Sequence, residues 1–263
     1  MSSLFKKKYI VGVIPARMGS SRFYGKPLAK ILGHPMIYHV YQRSLLARSL
    51  SDLYIATPDA IIQHYCERQQ MNVVMTKQTH FSASDRAAEA MLKIEKLKQK
   101  KVDVLVLIQG DEPLIFPRMI DLAVRAMMKE KHTLVVNLMS PIQSNSEFKN
   151  PNTIKVVVDK FNNALFLTRE AIPSLKKTSL HKQPHLKQVC VIPYQRDFLL
   201  KFNRLKQTPL EQAEGIDMLR CLENGFNVKM VFSPFTTYSV DVPADLKQVD
   251  RIMKKDDLMK YYA

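Results

Sequence analysis

Glycine, cysteine and acidic side chains are all scarce in this 263-residue sequence. There are only 7 glycines and 3 cysteines, and 24 acidic residues stand against 40 Lys and Arg. Cys66, Cys190 and Cys221 are odd in number, far apart and without a CxxC pair. This pattern excludes a disulfide framework and predicts reduced thiols in a cytoplasmic protein. The 7 histidines show no ligand spacing with the cysteines, so we predict no zinc site.

Long apolar runs are also missing. No segment approaches the roughly 20 residues that a membrane helix requires. The polar and basic N-terminus, Met1 to Lys8, is followed by no small-residue cleavage site, so we expect neither a signal peptide nor membrane insertion. The length is sufficient for one large α/β domain or two small ones.

The excess of basic residues gives a net charge of +16, a value that would suit a nucleic-acid-binding protein. However, the basic residues are dispersed, aromatic residues are not interleaved with them, and no nucleic-acid module is recognisable. The main basic segments are residues 6–8, 93–101, 176–187 and 254–260. We therefore expect no nucleic-acid partner. Anionic small substrates would account for a positive cleft but not for the whole charge.

The few glycines are clustered. Gly12, Gly19, Gly25 and Gly33 fall within 22 residues, and clustering of this kind indicates tight turns or close approach to a ligand. The segment from Ile14 to Leu28 follows an apolar strand and contains two Arg, one Lys and two Ser. Backbone amides and fixed cations at the carboxyl end of a strand bind polyphosphates. The alternative is a surface loop with solvated charges.

Hydrophobic periodicity predicts strands that alternate with helices, which is typical of a parallel, doubly wound α/β sheet. The predicted strands are 9–13, 53–56, 73–75, 102–108, 134–138, 154–158, 164–167, 189–192, 228–232 and 237–240; the predicted helices are 35–49, 60–69, 84–98, 117–130, 209–224 and 243–254. Residues 140–208 contain a predicted hairpin and a polar loop from Pro173 to Lys187. We interpret them as an antiparallel insertion that covers the sheet edge within a single domain, 1–263.

Two carboxylates follow predicted strands. The central strand ends in Gln109-Gly110-Asp111-Glu112-Pro113, and Asp111 therefore lies where open α/β sheets bind ligands and where hard oxygen ligands suit Mg²⁺. An exposed turn is the alternative. Asp241 follows the late strand and, taken alone, would be an N-cap, while Asp245 could be simple helix-start acidity. Together with the glycine loop, the two aspartates point to a phosphate and metal site.

Three further acids, Glu211, Glu214 and Asp217, are three residues apart on the predicted helix 209–224. Such spacing can present acids to a cleft, but for Glu211 and Glu214 we expect a solvated helix face.

Four motifs in the same order give the chain a resemblance to the sugar-acid cytidylyltransferases, within them most of all to the 3-deoxy-manno-octulosonate (Kdo) cytidylyltransferases. The resemblance spans about residues 8 to 252. The motifs are Ile14-Pro15-Ala16-Arg17 with Ser21-Arg22 and Gly25-Lys26-Pro27-Leu28; Gln109-Gly110-Asp111-Glu112-Pro113; Lys155-Val156-Val157 with Ala164 to Arg169 and Ile172-Pro173; and Val240-Asp241 with Pro243 and Asp245-Leu246.

The resemblance implies that CTP lies over the sheet, with Arg17, Arg22 and Lys26 near the triphosphate and Mg²⁺ held by Asp111 and Asp241. The anomeric hydroxyl of a 2-keto sugar acid attacks the α-phosphorus, and catalysis depends on positioning and charge neutralisation. The catalytic residues implied are Arg17, Lys26, Asp111 and Asp241, and the substrate-binding residues implied are Ala16, Arg22, Ser82, Arg86, Gln109, Lys155, Arg169, Gln188, Tyr194 and Asp217. A homodimer and a role in lipopolysaccharide synthesis are implied as well.

The chain departs from the family pattern mainly in the stretches assigned to the sugar. Gln188 replaces a His, Ile192 a Tyr, Asp217 a Glu and Met218 a Gln, and the last change removes a hydrogen-bond donor and an acceptor. Near the nucleotide base only mild changes occur, such as Ala83 for Gly. The acceptor is therefore expected to be Kdo or a modified relative, such as an 8-amino or nonulosonic acid. The alternatives are drift at tolerant sites and a non-catalytic CTP-binding regulator.

Overall fold

The computed structural model describes residues 8–20, 22–80, 82–130, 132–177 and 185–262. The chain divides into two compact units, one formed by Met1–Asp121 with Thr237–Ala263 and the other by Leu122–Thr236. The second unit thus begins before residue 140 and ends after residue 208, and the single-domain organisation stays a prediction. None of the described helices is long and apolar enough to cross a membrane.

The helices and strands follow the expected alternation. The strands are β1 Ile10–Pro15, β2 Lys30–Ile31, β3 His34–Pro35, β4 Asp52–Thr57, β5 Val73–Met75, β6 Val104–Ile108, β7 Val136–Pro141, β8 Lys155–Val158, β9 Ala164–Thr168, β10 Leu186–Val189, β11 Val191–Gln195 and β12 Lys229–Phe232. The helices are α1 Met36–Leu45, α2 Ala60–Arg68, α3 Ala83–Lys98, α4 Pro117–Lys129, α5 Asn145–Lys149, α6 Arg196–Phe202, α7 Pro209–Glu214, α8 Met218–Glu223 and α9 Pro243–Met253, with short 3₁₀ turns at Lys26–Leu28 and Asp257–Tyr261.

Parallel strands form the core of the first unit, in the order β6–β1–β4–β5. All five residues of β6 are buried, as expected for a strand covered on both faces. From β1 the chain continues through β4 and β5 on one side and returns to β6 on the other, so the strand order reverses between β1 and β6. Open α/β sheets bind ligands at such a point. The predicted α/β fold with a mostly parallel sheet is confirmed.

The second unit contains a mixed sheet in the order β12–β7–β10–β8–β9. Only β12 and β7 are parallel among its pairs; the others are antiparallel. The predicted hairpin is present as β8 and β9, with Lys155 opposite Thr168.

Three predicted elements differ from the structure, two of them in continuity and one in type. Gly215 adopts a left-handed backbone, with φ of 64°, and divides the predicted helix 209–224 into α7 and α8. The predicted strand 189–192 is the meeting point of β10 and β11. Residues 237–240 form no strand, and the Val240 amide instead donates to the Asp111 carbonyl at 2.9 Å. Ser21 and residues 178–184 of the predicted polar loop lie outside the described residues.

Gly110 lies where β1 and β6 end side by side. A Cβ atom added to it would lie 2.8 Å from the backbone oxygen of Pro15, closer than such atoms approach in proteins. The Pro15 backbone cannot move aside as a flexible side chain could. Only glycine therefore lets the two strand ends come this close.

We predict that Gly110→Ala lowers the free energy of unfolding by about 1–3 kcal/mol, the usual cost of overpacking. Urea unfolding followed by circular dichroism measures it. The matched control is Gly19→Ala, because an added Cβ there meets no atom of the described residues within 4 Å; equal losses in both variants would contradict the steric explanation.

Candidate active site

A cleft of about 310 Å³ opens in the first unit where β1 and β6 end. It is bordered by the glycine loop after β1, the motif after β6 and the start of α3. The residues predicted for the site that line it are Ala16, Arg17, Arg22, Lys26, Ser82, Arg86, Gln109 and Asp111. The structure therefore brings these eight residues together, whereas Asp241, the other predicted metal ligand, is not among the residues that line the cleft.

The glycine loop is held in place by its own backbone and by one aspartate. The Met18 amide donates to Asp59 at 2.8 Å, and the Met18 carbonyl accepts from the Gly25 amide at 2.9 Å. Gly25 has a φ of 73°, which favours glycine, and the chain turns there into the 3₁₀ segment that begins with Lys26. These contacts direct Lys26 towards the end of β6.

Lys26 joins the two segments that carry the predicted metal ligands. Its Nζ lies 2.7 Å from Asp111 Oδ2 and donates to the Val240 carbonyl at 2.9 Å. Both side chains of the ion pair are largely buried, with 15% of Lys26 and 27% of Asp111 exposed. Since Val240 directly precedes Asp241, the lysine and the backbone bond from Val240 to Asp111 hold together the two segments that carry the aspartates.

Asp241 is paired with a second cation of the same loop. Arg22 Nη2 lies 2.9 Å from Asp241 Oδ1, and 52% of the arginine side chain is exposed. Asp245 instead accepts from the Asp241 and Val242 amides at 2.8 and 2.9 Å, so it caps α9. Each of the two predicted metal ligands is thus balanced by one loop cation.

The start of α3 forms another wall of the cleft. Ser82 caps the helix by accepting from the Asp85 amide at 3.1 Å. Arg86 donates to Thr76 Oγ1 at 2.6 Å, and burial, reinforced by the nearby charge of Arg17, lowers its pKa. Ala83 is the first helical residue, so the replacement of glycine there costs no strained backbone.

His80 lines the cleft as well, and no sequence motif predicted it. Its Nε2 bonds to Glu89 on α3, which also accepts from the Lys77 amide and the Lys93 ammonium, each at 2.9 Å. Burial raises the pKa of Glu89, but these three donors together lower it to about 2. The pairing joins a loop to a helix, which no periodicity in the sequence could reveal.

The residues assigned to the sugar lie in the second unit, and two of them are engaged with backbone. The fully buried Lys155 ammonium donates to the carbonyls of Asn150, Thr153 and Arg169 at 2.6–2.8 Å, and burial lowers its pKa. Arg169 Nε donates to the Glu214 carbonyl at 2.7 Å. Their predicted substrate contacts stay predictions.

The other three sugar-side residues differ in their surroundings. Among the described residues the hydroxyl of the fully buried Tyr194 has no hydrogen-bond partner, and burial raises its pKa. Gln188 Oε1 is also buried without a partner in the described part of the chain, whereas Asp217 is half-buried at the start of α8. Asn137 on β7, which sequence reasoning missed, is fully buried, and neither side-chain amide atom bonds to a described residue.

The expectation of a solvated face for Glu211 and Glu214 was wrong. Glu211 is buried and forms a two-bond ion pair with the buried Arg220. Glu214 accepts from Thr168 Oγ1 at 2.5 Å and from the Arg169 amide at 2.9 Å. The break at Gly215 turns α7 towards these partners. One continuous helix, as expected from the sequence, would not bring both glutamates to them.

Known proteins resemble this chain over most of its length. The sequence model of the cytidylyltransferase family matches residues 11–231. The chain belongs to the cytidylyltransferase family. A 3-deoxy-manno-octulosonate cytidylyltransferase from Syntrophobacter fumaroxidans is 40% identical over 247 residues, which cover 94% of this chain and 98% of the relative. A mitochondrial one from Arabidopsis thaliana is 35% identical and covers 95% of this chain and 84% of its own length.

Solved structures place this cytidylyltransferase in the same fold. The structure of CMP:2-keto-3-deoxy-manno-octonic acid synthetase complexed with CTP superimposes with a TM-score of 0.86 at 35% identity, covering 94% of this chain and 99% of that one. A 4-diphosphocytidyl-2C-methyl-D-erythritol synthase from Anaerococcus prevotii has a TM-score of 0.62 at 11% identity, a similarity of fold alone. The resemblance stated from the sequence motifs is confirmed.

The low pKa of Glu89 makes its contribution to stability depend on pH. Because its pKa falls from 4.5 in the unfolded chain to about 2 in the folded one, the contribution is complete above pH about 4.5 and is lost as the pH falls towards 2. We predict that Glu89→Gln lowers Tm at pH 6 and that this loss shrinks by pH 3. Thermal unfolding from pH 3 to 7 measures it, with the exposed Glu67→Gln as control; a loss that stays constant with pH would contradict the explanation.

Proposed function

We propose that this cytidylyltransferase transfers CMP from CTP to the anomeric hydroxyl of Kdo or a modified relative, with release of pyrophosphate. The observation that carries the proposal is the pairing of Lys26 with Asp111 and of Arg22 with Asp241 at 2.7 and 2.9 Å, at the switch point of a parallel sheet. The relatives with the Kdo cytidylyltransferase name support the same acceptor class.

The protein's own groups would act by positioning and charge. Loop amides and the cations Arg17, Arg22 and Lys26 would hold the triphosphate and neutralise it as negative charge builds up on the leaving pyrophosphate. The acceptor oxygen bonds to the α-phosphorus, the bond from that phosphorus to the bridging oxygen breaks, and the hydroxyl proton passes to solvent. No protein nucleophile is needed, since the sugar supplies it.

The donor set fits Mg²⁺, with Asp111 and Asp241 as the residues that would hold it. Among the described residues no group of three or more His, Cys, Asp or Glu could hold a metal ion. Mg²⁺ needs no such group, because one or two carboxylates and substrate phosphates suffice. When bound, the metal would neutralise charge on the reacting phosphates. The bond from the Val240 amide to the Asp111 carbonyl keeps the two ligand-bearing segments adjacent.

For the acceptor we propose a modified relative of Kdo, such as an 8-amino or nonulosonic acid. Ile192 and Met218, which replace a Tyr and a Gln of the family pattern, are buried. Near Ile192 in sequence, Gln188 and Tyr194 each have a buried polar atom without a partner among the described residues. Buried polar atoms are normally hydrogen-bonded, so these atoms would suit a polar ligand. The homodimer, the cytoplasmic location and the role in lipopolysaccharide synthesis stay predictions.

We predict that Asp111→Asn lowers kcat/KM for pyrophosphate release by roughly a hundredfold, since the charge stabilisation lost amounts to several kcal/mol. The assay contains CTP, Mg²⁺ and either Kdo, 8-amino-Kdo or a nonulosonic acid. Asp103→Asn is the matched control, because Asp103 also pairs with a lysine, Lys8 at 2.9 Å, but precedes the same strand that Asp111 follows.

The acceptor panel separates the outcomes. Release with one acceptor, lost in Asp111→Asn and kept in Asp103→Asn, supports the transferase. A strong preference for plain Kdo would refute the altered-acceptor proposal alone. CTP binding without release from any acceptor would refute the transferase and favour a non-catalytic regulator.

The ion pair of Arg22 with Asp241 predicts opposite effects on metal and nucleotide. Because the guanidinium competes for the carboxylate, we expect Arg22→Gln to tighten Mn²⁺ binding in the absence of nucleotide by about 2–5-fold, the value of a half-exposed pair. The same variant should weaken CTP binding. Electron paramagnetic resonance of free Mn²⁺ measures the first effect and calorimetry the second.

Lys8→Gln is the control for this pair, since it removes the same formal charge from an exposed ion pair with Asp103. Weaker Mn²⁺ binding in Arg22→Gln than in Lys8→Gln would contradict the competition.

A further inference from the structure

Arg43 is a fully buried arginine on α1 that does not line the cleft. An unpaired guanidinium would be costly in such a place, so its partners define its role. No sequence pattern indicated that role, because Arg43 lies within an ordinary amphipathic helix.

The donors of Arg43 are divided between two separate segments of the first unit. Its Nε donates to the Ile115 carbonyl at 2.8 Å, and its Nη2 lies 2.5 Å from Asp256 Oδ2. Nη1 lies 3.4 Å from the Tyr262 hydroxyl, at the end of the chain. One rigid side chain therefore bridges the segment after β6 and the segment after α9.

The first of these segments also carries Asp111. The Ile115 amide donates to the Glu112 carbonyl at 3.0 Å, so the contact to Arg43 lies at the end of a tight turn that begins directly after Asp111. A shift of Ile115 would be transmitted through this short turn to the carboxylate.

The second segment continues from Asp241. Helix α9 begins at Pro243, two residues beyond Asp241, and Asp256 follows the end of the helix. A small core cluster joins the two segments, with Leu114 on one side and Val240, Val249 and Met253 on the other. Arg43 contacts each segment just beyond this cluster. Ile115 follows Leu114, and Asp256 follows Met253.

We infer that Arg43 is a positioning residue that sets the relative position of Asp111 and Asp241, with Asp256 as its counter-ion. The inference rests on the proposed function, since it concerns the carboxylate pair that would hold the metal. A guanidinium presents several donors in one fixed plane and can bond both segments at once. A lysine ammonium, a single flexible point charge, cannot reproduce that geometry.

The test compares Arg43→Lys and Asp256→Asn with the unaltered protein in Mn²⁺ titrations with CTP present, followed by electron paramagnetic resonance. We expect Mn²⁺ to bind roughly tenfold more weakly to both variants, as when an outer partner of a metal ligand is lost. CTP affinity without metal should stay unchanged, a result that general structural damage would not give. Asp256→Asn keeps the test decisive if Arg43→Lys folds poorly.

Arg220→Lys is the matched control, since Arg220 is a buried arginine of the second unit, paired with Glu211. It should lose stability without a change in Mn²⁺ affinity. Unchanged Mn²⁺ affinity in both Arg43→Lys and Asp256→Asn would overturn the inference and leave the proposed function intact. Failure of the unaltered protein to bind Mn²⁺ with CTP would overturn both.

Discussion

The candidate site depends on the balance between two carboxylates, one that follows β6 and one that precedes α9, and two cations from one loop. Asp111 and Asp241 come from distant parts of the sequence, and their segments are joined by a backbone hydrogen bond of 2.9 Å between Val240 and Asp111. Two carboxylates on adjacent segments repel each other unless nearby cations neutralise their charge. Lys26 and Arg22 supply the neutralising charges. The loop after β1 therefore stabilises the pair of aspartates, one of which follows β6 while the other precedes α9.

The same pairing prepares the cleft for an anion. A half-exposed ion pair such as that of Arg22 contributes little to stability, and its exchange for a phosphate therefore costs little. The pair of Lys26 is more buried and is reinforced by the Val240 carbonyl, so this cation is already oriented before a ligand arrives. Fixed dipoles and charges of this kind need no rearrangement during phosphoryl transfer. This preorganisation is the main reason that such groups stabilise a transition state.

Local patterns predicted those parts of the fold that local chemistry determines. The continuous apolar run of β6, the β8–β9 hairpin and the glycine loop each carry their signal in a few neighbouring residues. The roles of Arg43 and His80 could not be predicted, because their partners are Asp256 and Glu89, in other elements. Residues 237–240 alternate like a strand, yet the amide of Val240 bonds to the Asp111 carbonyl, a contact that only the tertiary fold creates. The left-handed Gly215 was likewise hidden within a helical period.

The two groups of sugar-side residues lead to different expectations about specificity. Lys155, Arg169 and Glu214 already use their hydrogen-bonding groups within the second unit, and a substrate would have to compete with these bonds. Gln188, Tyr194 and Asn137 have buried polar atoms without partners among the described residues. Leaving such atoms unpaired is expensive, and a ligand that pairs them is favoured strongly over one that does not. We therefore expect the proposed acceptor to be selected by the side-chain amides of Gln188 and Asn137 and the phenol of Tyr194 more than by Lys155 and Arg169.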